Sequence, residues 1–344
     1  MRRRVRRRRA GAVGLLLAAG LVIVLLTSNG SSRDATSAAR ATRAAGSLGS
    51  GSRGGPVKLL VQSGGRLPTA LQDAAAAPDG NGSALFIGGL DQSEASVADV
   101  VRWGGSQALR VGSLPLAVHD ASASALGGQA YLFGGGQSSS FSQITRVSPT
   151  GEAQAVGQLP TPASDLATAV IAGTVYIVGG YTGQVPLQTI LAWRPGERPR
   201  TVGMLPKPLR YAAVAAQGGK LVIAGGTSGA AASRDVYRFD PGSGRVSRLL
   251  GLSHPLTHAV AATLGGTVFV LGGREAQANS QTRTMLAITP DGTLGVAGML
   301  PLALSDLSAV TVGERIVIAG GRDAGGRVHD AILTLTLEPG GRRG

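Results

Sequence analysis

The stretch VYIVGGYTG, residues 175–183, drives an apolar run straight into two glycines. The same arrangement recurs as LFIGG (85–89), YLFGG (131–135), LVIAGG (221–226), VFVLGG (268–273) and IVIAGG (316–321). The pairs begin at 88, 134, 179, 225, 272 and 320. Two further markers keep the same register. Leu-Pro occurs at 67, 114, 159, 205 and 300, with Pro255 in a degraded LSHPL copy. Six residues beyond each Leu stand Asp73, Asp120, Asp165, Tyr211 and Asp306, and His258 takes that place in the fifth copy. Three markers in step over six copies define a repeat of about 46 residues.

Each repeat reads as four short strands. In the fourth, YAAVAAQ (211–217) leads through Gly218-Gly219 into KLVIAGG (220–226), and RDVYRFD (234–240) leads through PGSG into RVSRLLG (245–251). Pro, Gly, Asp and Ser punctuate every junction. The first two strands are almost wholly apolar, as expected of strands covered on both faces. A period of 40–50 residues with four strands per unit predicts an all-β, six-bladed propeller over 56–341. The glycine pairs then fall where a side chain is expected to strike the next blade and where the following loop needs backbone angles open mainly to glycine.

The last repeat ends AILTLTLEPGGRRG and lacks a fourth strand. GGPVKLLVQSGGRLP (54–68) matches the fourth strands of other repeats leading into Leu-Pro. The N-terminal strand is therefore expected to complete the sixth blade, which removes two open sheet edges.

A double glycine after a hydrophobic strand, repeated six times, resembles the Kelch repeat, and the resemblance covers residues 56–341. Kelch units usually carry Trp before the turn between their last two strands. The positions read as equivalent here are Trp103, Val147, Trp193, Phe239, Ile288 and Leu337. Only two are Trp, so the blades are expected to pack with aliphatic residues instead.

The first 55 residues differ in kind. MRRRVRRRR (1–9) precedes AGAVGLLLAAGLVIVLL (10–26), which carries no charge. Seventeen residues rising about 1.5 Å each just span a hydrocarbon core. Residues 10–26 are thus expected to be an uncleaved transmembrane signal anchor. The arginines hold the N-terminus, a basic tail over 1–9, in the cytoplasm and leave the propeller extracellular. Residues 27–55 are small and polar and read as a flexible linker.

The net charge of +14 suggests nucleic acid until it is located. It lies almost wholly in the N-terminal 53 residues and the C-terminal RRG, so a basic groove for phosphates is not expected. With no cysteine in the chain, disulfides, thiol catalysis and thiolate metal sites are excluded.

The marker residues and the longer loops are expected to share one face of the ring. Asp73, Asp120, Asp165, Tyr211, His258 and Asp306 gather at the channel mouth, with Arg274 and Arg322 on the loops of the fifth and sixth blades. An acidic ring could hold a cation, a basic group or sugar hydroxyls. Alternatively, each Asp carboxylate accepts backbone N–H bonds and ties its blade to the next. The loop arginines could clamp a carboxylate or acidic glycan. His119 beside Asp120 is not expected to form a catalytic pair, because strand neighbours face opposite ways. The resulting expectation is a membrane-tethered, non-catalytic scaffold that binds a protein or glycan on its loop-bearing face, with no cofactor and no metal. The alternative implied by the Kelch resemblance is a carbohydrate-active enzyme of the sialic acid mutarotase type, with acid and base groups in the channel.

Overall fold

The computed structural model describes residues 57–229 and 231–339. The basic tail (1–9), the apolar run (10–26) and the linker (27–55) lie outside them. Twenty-four strands, β1 to β24 in chain order, form six four-stranded antiparallel sheets. In the fourth blade, β14 (Arg210–Gln217), β15 (Lys220–Thr227), β16 (Ser233–Asp240) and β17 (Arg245–Leu256) follow one another from the axis outward. The other blades repeat this order. Among the described residues no helix is long and apolar enough to cross a membrane; residues 10–26 were not among them.

The sixth blade is closed as the sequence implies. Its order is β1 (Leu59–Arg66), β24 (Ala331–Leu337), β23 (Arg315–Ala319) and β22 (Ser308–Val312). The register runs from Leu59 opposite Leu337 to Arg66 opposite Ala331, with a bulge between Ser63 and Gly65.

Six hydrophobic clusters form the core, one between each pair of neighbouring blades. The large side chains of the third strands fill them. Trp103, Val147, Trp193, Phe239 and Ile288 are all essentially inaccessible. In the sixth blade the position belongs to Leu335 rather than Leu337. Leu335 pairs with Ile316 as Trp193 pairs with Val175, and Leu335 is 0% exposed whereas Leu337 is 38% exposed. The shift follows from strand alternation, since a site two residues away faces the same way but lies beyond the neighbouring strand's cover. Trp193 packs edge-on against Tyr131 and Phe133 at 5.0 and 5.2 Å, and the Trp103 indole donates to the Gly64 carbonyl at 2.7 Å. This last contact ties the first blade to the N-terminal strand.

The glycine pairs now have an atomic account. A Cβ on Gly179 would lie 2.2 Å from the Leu209 carbonyl oxygen of the next blade, and a Cβ on Gly320 would lie 2.1 Å from that of Leu71. The same clash, at 2.1–2.4 Å, recurs at the first glycine of every pair. All twelve glycines have positive φ. The second glycine uses the close approach: Gly180 N–H donates to the Leu209 carbonyl at 2.9 Å, and Gly321 N–H to that of Leu71 at 2.8 Å. The Leu of each Leu-Pro is buried, and its N–H donates back to the start of the third strand of its own blade, as Leu205 does to Gln188 at 2.7 Å.

Candidate functional site at the channel mouth

Within two residues of the start of each innermost strand stands a residue with left-handed backbone. Asp73, Asp120, Asp165, Tyr211, His258 and Asp306 have φ between 54° and 59°. This conformation turns each N–H toward the preceding blade. Asp120 N–H donates to the Asp73 carbonyl, Asp165 to Asp120, Tyr211 to Asp165, His258 to Tyr211, Asp306 to His258 and Asp73 to Asp306. Six hydrogen bonds of 2.8–3.3 Å thus close a ring of main chain around the axis. The sixth-residue marker has its cause here. Among residues other than glycine, Asp and His are several-fold enriched in the left-handed region, and Tyr211 is the costly exception. The blade-to-blade tie is therefore made by backbone, not by the carboxylates, and the side chains are released to face the channel.

The next positions build the mouth. The residue before each marker bridges to the residue after each glycine pair. Ser164 faces Tyr181, Arg210 faces Thr227, Thr257 faces Arg274 and Ser305 faces Arg322. These positions make the mouth two-sided. Carboxyl groups occupy the sixth, first, second and third blades. Tyr181, Arg210, Tyr211, His258 and Arg274 occupy the third to fifth.

On the acidic side Asp306, Asp73, Asp120 and Asp165 line the same narrow space. Carboxyl groups crowded in this way cannot all carry a charge. Burial, then the charges of Asp306 and Asp120, pushes Asp73 well above the carboxylate range. Burial and Asp306 lift Asp120 to about 6, and burial and Asp120 lift Asp165 to about 7 against the pull of Arg210. Burial also raises Asp306, opposed by Ser305 and the Arg274 charge. Asp165 is 5% exposed. Its Oδ2 faces Arg210 Nη2, and its Oδ1 meets no N–H or hydroxyl donor.

On the other side Arg210 lies 4.0 Å above the Tyr181 ring and donates to the Tyr211 hydroxyl at 3.1 Å, while the Tyr211 hydroxyl donates to Asp120 Oδ2 at 3.3 Å. Tyr211 stacks on His258 with ring centres 3.7 Å apart. Arg274 Nη2 donates to His258 Nε2 at 3.1 Å, so Nδ1 carries the hydrogen and donates to Thr257 Oγ1 at 3.1 Å. Burial, with Arg274 and Arg210 nearby, drops the His258 pKa to about 2 and keeps the ring neutral. A cavity of about 480 Å³ opens between these groups, lined by Tyr181, Arg210, Tyr211, His258 and Arg274 among others. A narrower channel of about 160 Å³, walled mainly by small residues, joins it at Tyr211 and His258.

The structure brings seven of the eight sequence candidates together here. Arg322 stands at the equivalent place in the sixth blade but pairs with Glu94 of the first at 3.1 Å, outside the cavity. His119 Nε2 comes within 3.7 Å of Asp120 Oδ2, contrary to the alternation rule, because Asp120 has a left-handed rather than an extended backbone. His119 Nδ1 is engaged with Ser96 Oγ at 2.8 Å. Arg210 and Tyr181 are absent from the sequence candidates. Their signal was positional: one residue before a marker, and one residue after a glycine pair. Among the described residues no group of three or more His, Asp or Glu is placed to hold a metal ion.

The sequence profile of the Kelch motif matches residues 208–249, which fall on the fourth blade. The chain is a six-bladed propeller whose fourth blade matches the Kelch motif. A solved structure described as "Structure of YjhT" shares the fold with a TM-score of 0.70, at 15% identity, over 80% of this chain and 99% of that one. At that identity the likeness is one of fold alone. No curated protein sequence matches the chain.

Proposed function

We infer that the protein is a membrane-tethered, extracytoplasmic propeller that binds a saccharide carrying a carboxylate at its channel mouth, without transforming it. The observation that carries this reading is the cavity flanked by Arg210 and Arg274. Both guanidinium groups are held before any ligand arrives, one on Tyr181 and Asp165, the other on His258. Preorganised arginine forks suit a planar carboxylate. Gln184, Thr227 and Thr257 in the same wall supply side-chain partners for hydroxyl groups. The tether rests on the uncharged run 10–26 behind its arginines.

The test is a glycan array probed with the full-length chain in detergent. Carboxylated glycans are expected to be retained, and Arg274→Gln is expected to lose about tenfold in affinity or more, in line with removal of a buried charged hydrogen bond. Retention of neutral glycans only, or indifference to Arg274→Gln, would overturn the reading.

A second reading is favoured by one observation. Asp120 and Asp165 sit with pKa values of about 6 and about 7 beside the cavity, where a general acid and base would be poised. It corresponds to the mutarotase type. Accelerated interconversion of sugar anomers, followed by NMR and abolished in Asp165→Asn, would replace the binding-only account.

A further inference from the structure

The two sides of the mouth carry opposite chemistry, and only one of them is used by a carboxylate. Tyr211 and His258 line both the cavity and the narrower channel, so the space between Arg210 and Arg274 adjoins the one lined by the carboxyl groups. There four aspartates line the channel, and Arg210 is paired with one of them, Asp165. Asp165 Oδ1 is buried in that wall without an N–H or hydroxyl donor. Carboxyl groups gathered along one channel are held together only where protons, or a cationic donor, offset their charge. An ammonium group supplies three such donors and a positive charge.

We propose that the ligand is a zwitterionic saccharide, with its carboxylate between Arg210 and Arg274 and a free ammonium group against Asp120 and Asp165. This proposal rests on the carboxylate reading above and adds the second pole. The neighbouring charges are consistent with it. His258 is neutral, Arg274 is turned to His258 and to the carbonyls of Glu275 and Ala276, Arg322 is paired with Glu94, and His119 touches Asp120 from the rim. Arg210 pairs with Asp165, the charges of Arg274 and Arg322 bear on Asp306, and a bound carboxylate draws Arg210 toward the cavity. The ammonium then takes the place of protons, so that binding expels them.

The test uses the full-length chain in detergent and three probes. Muramic acid carries a carboxylate and a free ammonium, N-acetylmuramic acid carries the carboxylate alone, and glucosamine carries the ammonium alone. Titration calorimetry at neutral pH, repeated in buffers of different ionisation enthalpy, reads affinity and protons released together. Muramic acid is expected to bind at least tenfold more tightly than either other probe and to release protons, whereas N-acetylmuramic acid releases none. Asp120→Asn, which keeps shape and tolerance of the left-handed backbone, is expected to erase the preference for muramic acid and the proton release while sparing N-acetylmuramic acid. Equal binding of muramic and N-acetylmuramic acid would overturn the ammonium pole and leave the carboxylate reading standing. Equal binding of muramic acid and glucosamine would overturn the carboxylate reading. Failure of all three to bind would overturn both.

Discussion

At the scale of single residues, the protein is organised by backbone conformations that side chains tolerate or refuse. Gly179 and Gly218 both have positive φ, yet only Gly179 faces a carbonyl 2.2 Å from where its Cβ would stand, while Gly218 has open space. Gly218→Ala is expected to cost about 1 kcal/mol, the left-handed penalty alone. Gly179→Ala is expected to cost about 3 kcal/mol or more, because a neighbouring blade must also move. Urea unfolding of the two variants checks the difference, and equal costs would refute the blade-contact explanation of the glycine pairs. The marker aspartates make a second test. Native Asp120 and Asp165 retain protons at about pH 6 to 7 that the unfolded chain has already lost, so they make stability fall as pH rises through that range. His258 acts in the opposite sense: its lowered pKa costs stability as pH falls below about 6.5. Comparison with Asp165→Asn cancels the histidine contribution. The variant is expected to lose less melting temperature than the parent between pH 6 and 8, and parallel profiles would show that Asp165 titrates normally.

At the scale of elements, β1 completes a sheet whose other strands lie more than two hundred residues away in sequence. Deleting 57–66 would open β24 as an edge and leave the Trp103 indole without the Gly64 carbonyl. The expected result is loss of the single cooperative melt of the whole ring; a shortened chain that melts as before would contradict closure by the N-terminal strand. Trp193→Ala removes a large side chain wedged against Tyr131 and Phe133 between two blades and is expected to cost about 3–5 kcal/mol in urea unfolding. Blade number, strand order and closure were legible in the sequence because each repeat states the same pattern again, and six statements average out local drift. Leu335 was misplaced by two residues because the last repeat has no turn of its own kind to anchor the count. Arg210 and Tyr181 were passed over because the residue types at their positions vary from blade to blade. Such positions look like loop variation until the ring brings them side by side.

At the scale of the whole molecule, six similar blades produce a mouth that is not six-fold. The backbone ring is uniform, but drift at the marker and its two neighbours has put acids on one side and arginines with aromatic rings on the other. That polarity is invisible blade by blade, since it exists only once the sixth blade meets the first. The proposed tether belongs to this scale too: protease treatment of intact cells is expected to shed the propeller, and a protected propeller would reverse the orientation read from 1–26. The most direct measurement is a crystal structure of the propeller grown with the carboxylated saccharide that binds best on the array. The account predicts ligand density in the cavity with the carboxylate within hydrogen-bond reach of Arg210 and Arg274. Density confined to the rim loop 274–283, or a carboxylate turned away from both arginines, would contradict it.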